Sequence, residues 1–482
     1  MWKIKIQITL TDGNDTKTAQ EHRATLEETL PGGFQSLEQW EQDVRQLGFT
    51  TMRQVFRSGL QALEQEVLAS FVHHTEPCHI VKRGHVGLTL ATVFGKVRFP
   101  RQRLRCHTCQ RWLIPLNETL GLHHDEHEKT RLGLQELSSV CAINQPYRLA
   151  EKMIRQLTQD DQIISTKIQL LAASEGQRVR QQEEQERHCL TLDAVRPIQD
   201  RQPPPPRRQG TFYVCLDGIF VRSHEGKGRW REGNVGFLCT DKRQPLGQSQ
   251  KQRVVQKRYI TSFESAEVLG SRVYAQALKL GLHQYKEVMV LGDGARWIRQ
   301  LRQQCFRHAR YILDWFHLHE NVCRAFRLTF PDDRCQRRQR RRAVTTDLWA
   351  GRKKRALKKL LALQQEMIKQ RQEELLSVRH GVNELIEYIQ NNWEGLINYQ
   401  KMQQAGDMIA SSLVEKAADI VIAKRQKKHQ GMHWSHDGAD GLCALRTLWL
   451  NEDWDQYWQQ RRQAACDRSW KSPAYSVFHL SE

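Results

Sequence analysis

The stretch that most constrains this chain is residues 288–318, VMVLGDGARWIRQLRQQCFRHARYILDWFHL. Val288-Met289-Val290-Leu291 carries no polar break, which suits a strand buried on both faces. Gly292-Asp293-Gly294 then permits a sharp turn and leaves a carboxylate at the strand's end. Residues 295–304 read as a helix with Trp297, Ile298 and Leu301 on one face. A second apolar run, Tyr311-Ile312-Leu313, again ends in an acid, Asp314, with His317 three residues on. Taken alone, Asp293 is a cap for the helix after it. The repeated order of strand, acid, helix, strand, acid points further, to an open α/β sheet whose functional groups gather at strand carboxyl ends.

The same pattern occurs earlier. Phe212-Tyr213-Val214-Cys215-Leu216 reads as a buried strand that ends in Asp217-Gly218. Residues 219–263 then read as a β-meander (219–223, 234–240, 253–261), and residues 264–280 as an amphipathic helix. Three consecutive strands followed by helix, strand, helix, strand is the order of a ribonuclease H-like fold. There the first strand and a later one lie side by side and bring their terminal acids together. The fold class expected is therefore multidomain α/β: a ribonuclease H-like catalytic core with an all-helical insertion. A helical and zinc-ribbon-like or helix-turn-helix region precedes it.

Charge restricts the partner. Lys and Arg number 74 against 54 Asp and Glu, a net charge of +20. Such an excess favours a polyanion, most simply nucleic acid. No run of eighteen apolar residues occurs, so no membrane span is expected. The first ten residues alternate like a strand and lack a signal core, so a cytoplasmic, nucleoid-associated protein is expected. The 12 cysteines are mostly scattered singly, as reduced buried thiols are. Cys106-His107-Thr108-Cys109 is the exception, because a Cys-x-x-Cys knuckle can place two thiolates on one Zn²⁺. Upstream stands a single cysteine, Cys78, with His73, His74 and His79 beside it. A structural Cys₃His zinc on Cys78, His74, Cys106 and Cys109 competes with a metal-free hairpin.

Residues 1–71 read as a mostly helical N-terminal region, 72–119 as the β-rich zinc-ribbon-like module, and 120–190 as helices with helix-turn-helix spacing. A Pro-rich linker is expected over 191–210, the first part of the core over 211–319 and a basic helical insertion over 320–405. Residues 406–482 hold the last catalytic helix, beginning near Ser411 or Ser412, and the C-terminal region. Within the insertion Arg337, Arg338, Arg340, Arg341, Arg342, Lys353 and Lys354 are not matched by an equal run of acids. A solvated face is the plain reading of such a run, and phosphate contact is the better one here. Arg425, Lys427 and Lys428, interleaved with aromatics, are expected on DNA as well, whereas Trp449, Trp454 and Trp458 are expected in the core.

LDGIFVR with Asp217, GDGARWI with Asp293, YILDWFHL with Asp314 and His317, and VEKAADIVIAKRQKKHQGMHWSHDGADGLCALR with Glu415 follow in this order. Together with the upstream VFGKVRFPRQRLRCHTCQ and PLNETLGL, they resemble the bacterial insertion-sequence DDE transposases of the Mutator-like superfamily, nearest the ISKra-type group. The resemblance spans most of 75–460. It implies that Asp217, Asp293 and Glu415 form a triad holding two Mg²⁺ or Mn²⁺ ions, and that Asp314 and His317 support it. It further implies metal-dependent cleavage and strand transfer on double-stranded DNA, both element terminal inverted repeats and target, by a homodimer or higher oligomer. Physics agrees: three converging carboxylates repel, and hard divalent cations relieve the repulsion. No G-x-x-x-x-G-K-[ST] loop accompanies them. One departure is Ala410-Ser411-Ser412-Leu413, where the group often has a Gly-rich approach to the catalytic Glu. Two other readings compete: a domesticated or inactive transposase-derived sequence-specific DNA-binding protein, and a ribonuclease H-like nuclease acting on RNA or hybrids.

Overall fold

The computed structural model describes residues 2–10, 22–30, 36–71, 73, 79–122, 129–160, 163–195, 208–225, 230–240, 243–246, 249–254, 256–369, 376–428 and 432–470. The chain is mixed α/β and divides into two units, residues 1–175 with 452–482, and residues 176–451. Cys78, His74 and the four prolines at 203–206 lie outside the described residues.

In the first unit, β1 (Trp2–Leu10) pairs antiparallel with β2 (His22–Leu30), and α1 (Leu37–Ser70) follows. Helix therefore begins at Leu37, and His22–Leu30, expected to be helical, is strand. A lone strand at 2–10 leaves its backbone groups unpaired, and the antiparallel partner supplies them. β3 (Ile80–Thr92), β4 (Gly95–Cys106) and β5 (Trp112–Leu113) form an antiparallel sheet. Leu88, Leu90 and Phe99 alternate onto one face and pack with Leu60 of α1 and Leu116 of α2 (Pro115–Thr119). The helices expected over 135–173 are α3 (Leu132–Asn144), α4 (Tyr147–Thr158) and α5 (Ser165–Val195). α5 is far longer than its apolar start suggested. The charged run 178–187, expected at the edge of a linker, is helical throughout.

The second unit is built on a five-stranded sheet. Its strands are β6 (Arg208–Arg222), β7 (Trp230–Thr240), β10 (Lys257–Ser262), β11 (Tyr285–Gly292) and β12 (Arg310–Leu313). A separate hairpin, β8 (Arg243–Leu246) with β9 (Ser249–Val254), interrupts the meander. The order across the sheet is β10-β7-β6-β11-β12. The first three strands are antiparallel, and β11 and β12 run parallel to β6. Phe212, Val214, Leu216 and Val290 pack on one face against Leu269 and Val273 of α6 (Ala266–Lys279) and against Ile298 and Leu301 of α7 (Arg296–Cys305). Because the strands are covered on both faces, their sequences are continuous apolar runs.

The interval after β12 is helical among its described residues: α8 (Trp315–Thr329), α9 (Arg334–Trp349), α10 (Lys353–Lys369), α11 (Leu376–Asn391) and α12 (Tyr399–Ala405). Then come α13 (Ser412–Ala418), a π-helical turn (Asp419–Ala423), α14 (Lys424–Gln426) and α15 (His436–Leu450). The last helix, α16 (Trp454–Trp470), belongs to the first unit. Trp454 and Trp458 are buried as expected, while Trp449 is exposed. Among the described residues no helix is long and apolar enough to cross a membrane.

Candidate active site

Strand register assembles the site. The parallel β6–β11 ladder ends at Cys215 opposite Leu291, and β11–β12 ends at Gly292 opposite Leu313. Two steps further along the first pairing and one along the second put Asp217 beside Asp293, and Asp293 beside Asp314. Residues paired across a parallel ladder share a face, so all three acids project from the side opposite α6 and α7. Asp217 does not terminate its strand, contrary to expectation. β6 continues to Arg222, because the antiparallel ladder with β7 runs unbroken from Phe212 opposite Thr240 to Arg222 opposite Trp230. What ends just before Asp217, at Cys215, is pairing with β11.

Each acid is held differently. Asp217 Oδ1 accepts from Gly218 N (2.8 Å) and Asp293 Oδ1 accepts from Ala295 N (2.9 Å). Asp293 is thus the acceptor of a local turn and not, as the plain reading proposed, a cap of α7, whose N-cap is Ala295 without a side-chain bond. Gly294 makes the turn with φ +95°, a left-handed conformation that side chains resist, and a Cβ there would meet Asn392 Nδ2 at 2.8 Å. Tyr388 Oη donates to the Asp293 carbonyl at 2.6 Å, tying the turn to α11. Glu415 lies in the first turn of α13, and its Oε1 is 3.4 Å from His317 Nε2. Burial, with the nearby negative charges of Asp293 and Glu415, raises the Asp217 carboxyl from 3.8 to about 6, against lowering by the Gly218 N–H and His317.

Asp314 is a different kind of acid. It is fully buried, and its Oδ1 accepts from His317 N at 2.8 Å, capping α8, while Oδ2 accepts from Ser411 N. Trp315 N also donates to the Ile409 carbonyl at 3.0 Å. Asp314 therefore fixes the start of α8, which carries His317, to the residues that lead into Glu415.

Sequence reasoning missed Glu232. It lies on β7, and a Cβ added at Gly218 would collide with its carboxylate. Burial, and then Asp293, raise its pKa. No pattern in 219–240 marks it, because the pairing of β6 with β7 decides which acid of β7 lies against Gly218. Arg446 was missed too. From α15 its Nε donates to the Val421 carbonyl at 2.7 Å and its Nη2 to Ile420, carbonyls of the π turn that follows Glu415. A π turn frees such carbonyls from the α-helical ladder, and a buried guanidinium satisfies them.

Burial corrects one expected DNA contact. Arg425 is fully buried and lies with its guanidinium 5.1 Å from the Trp434 ring centroid, so it cannot meet a phosphate. Lys427 and Lys428 are exposed, and Lys428 pairs with Asp419. In the insertion, Arg338, Arg342 and Lys354 are exposed. Others are engaged: Arg340 with Glu366 at 2.7 Å, Arg337 with the Phe330 and Pro331 carbonyls, Arg341 with Cys323 Sγ, and Lys353 with the Trp393 carbonyl at 2.7 Å.

In the first unit, the donor atoms of His73, Cys106 and Cys109 all lie within 4.8 Å of one another. His73 Nε2 is 3.2 Å from Cys109 Sγ, and Cys109 N donates to Cys106 Sγ at 3.5 Å. Among the described residues the histidine brought to the thiols is His73; His74 and Cys78, which the sequence reading named, lie outside the described residues. This imidazole and thiol set suits Zn²⁺, and the surrounding core is small, with Leu104, Cys106 and Leu113 buried. In the second unit the donors are carboxylates from three elements, which suit Mg²⁺ or Mn²⁺.

The sequence profile of the uncharacterised protein family UPF0236 matches residues 35–455, and the chain belongs to that family. No curated protein matches the chain.

Proposed function

We propose that this UPF0236 member is a DDE transposase, an enzyme that cleaves DNA at the ends of an insertion sequence and joins them to a target. The observation that carries this reading is the register that sets Asp217 beside Asp293 on one sheet face, with Glu415 close enough to raise the Asp217 pKa. The strand order, with a three-stranded meander and then two parallel strands beside the first, supports a ribonuclease H-like core. The net charge of +20 supports a DNA substrate.

Asp217, Asp293 and Glu415 would hold two divalent cations, which supply Lewis acidity to the scissile phosphate when bound. The protein's part is positioning. Gly294 and Tyr388 fix the Asp293 turn, Asp314 anchors the segments on either side of the insertion, and His317 orients Glu415. No protein nucleophile is required, since water serves cleavage and a DNA 3′-hydroxyl serves strand transfer. We also propose a structural zinc on His73, Cys106 and Cys109, and an assembly of two or more copies handling the two DNA ends.

The test is cleavage of labelled DNA carrying the ends of the chain's own element, in Mg²⁺ or EDTA, with Asp293→Asn as control. Metal-dependent cleavage at the end, abolished in the variant, is expected. Salt-sensitive binding without cleavage in either Mg²⁺ or Mn²⁺ would replace the enzyme with a sequence-specific DNA-binding protein.

A further inference from the structure

Beside the Asp293 turn lies a cleft of about 290 Å³ between α7 and the turn that ends α11. Arg296, Arg299 and Arg302 line it from α7, spaced so that neighbours three apart share one ridge. Asn392 lines it from the other wall and packs on Gly294, next to Asp293. Two of the arginines are pre-oriented. Arg299 Nη1 donates to Asn391 O (2.5 Å) and Asn392 Oδ1 (2.9 Å), while Arg302 pairs with Glu394 at 2.7 Å and donates from Nε to Ala309 O at 3.0 Å. Arg296 is exposed and makes no ion pair among the described residues.

Tyr311 also lines this cleft. It is 3 % exposed, yet its hydroxyl has no hydrogen-bond partner among the described residues. A buried phenol without an acceptor costs about 1–3 kcal/mol, so native structures rarely keep one without a use. The cleft thus offers three guanidinium groups against one carboxylate, a free O–H donor and the N-terminal end of a ten-residue helix. Every one of these favours an anion rich in acceptor oxygens.

We propose that this cleft is a phosphate subsite that grips a phosphodiester of the DNA on the α7 side of the Asp293 turn. Arg296 and Arg299 would neutralise the phosphate, and the Tyr311 hydroxyl would donate to one of its oxygens. The inference rests on the transposase reading only for the carrier of the phosphate, because the donor set itself selects phosphate chemistry.

The test uses the full chain in EDTA, where no cleavage occurs. Arginines are labelled with phenylglyoxal and mapped by mass spectrometry, alone, with a short DNA duplex, and with inorganic phosphate. Protection of Arg296 and Arg299 by the duplex, several-fold over the free protein, is expected. Tyr311→Phe is expected to raise the melting temperature of the free protein while weakening duplex binding about tenfold, the loss of one hydrogen bond to a charged group. Equal labelling with and without duplex, or wild-type binding by Tyr311→Phe, overturns the proposal. Protection by inorganic phosphate together with equal labelling in the duplex overturns the DNA carrier and with it the proposal as stated. Because nothing here depends on catalysis, a chain that fails to cleave but shows the protection would refute the enzyme and leave the subsite standing.

Discussion

Asp217 is held against its own charge, and that has a measurable consequence. Its carboxyl rises from 3.8 to about 6, chiefly by burial and then by Asp293 and Glu415. At about 1.4 kcal/mol per unit this is about 3 kcal/mol of preference for the neutral form. The folded state keeps the proton after the unfolded chain has released it. The sheet is therefore at its most stable, on this account, below pH 3.8, and loses stability as pH rises through about 6. Asp217→Asn, which mimics the neutral acid, is expected to match the wild type at the acid end and to exceed it by about 3 kcal/mol at pH 8 in EDTA. The assay is hydrogen exchange of the β6 and β11 amides, which reports opening of this sheet rather than of the whole chain. Exchange about 100-fold slower in the variant at pH 8, narrowing toward acid, is the expected result. Mg²⁺ should slow exchange in the wild type and have a smaller effect in the variant. Equal exchange at pH 8, or a less protected variant, would refute the idea that these carboxylates confront one another.

Other substitutions test separate parts of the fold. Asp314→Ala leaves the buried N–H groups of His317 and Ser411 without acceptors and is expected to lower stability by about 2–4 kcal/mol in urea denaturation, with Asp314→Asn milder. Gly176→Ala on α5 would drive a Cβ into the Gly441 carbonyl of α15, and a loss of about 1–3 kcal/mol in thermal unfolding is expected. Arg425→Met should destabilise without changing the salt dependence of DNA binding, whereas Lys427→Ala should reduce the slope by about one phosphate contact and leave stability unchanged. Purified protein should carry stoichiometric zinc by elemental analysis, lost in Cys106→Ser together with folding of the β4–β5 hairpin; a zinc-free wild type with that hairpin folded would refute the site.

The strands of the second unit were legible because they are buried on both faces, so Phe212–Leu216 and Val288–Leu291 announce themselves as apolar runs. Asp293 and Asp314 were legible for the same reason, as acids that end such runs. Asp217 was found by the same signal, although its strand does not stop there. The signal worked because pairing with β11, rather than the strand, ends just before that point. His22–Leu30 was missed because its Thr- and Glu-rich composition fits either structure, and the partner strand settles it from a distance. Glu232 was invisible for a related reason. Which residue of β7 faces Gly218 depends on hairpin register, and a slip of one residue would turn that carboxylate to the other face.

Arg425 shows where composition misleads most. Its neighbours Lys424, Lys427 and Lys428 place it in a basic run, yet ten steps of about 100° from Glu415 set it on the side of Ala418 and Val421, which are buried. The π turn at Asp419–Ala423 meets a donor from outside the helix: Arg446, from α15, takes the Val421 and Ile420 carbonyls. Arg446 is therefore coupled to Glu415 through the backbone, although the two side chains belong to different elements. Arg446→Met would relax the π turn toward α-helix and rotate one end of the segment against the other. The expected result is a shift in the His317 imidazole resonance as Glu415 moves from its 3.4 Å contact, with the Asp293 turn undisturbed. An unchanged His317 signal in a folded Arg446→Met chain would show that the π turn serves packing alone and leaves Glu415 where it is.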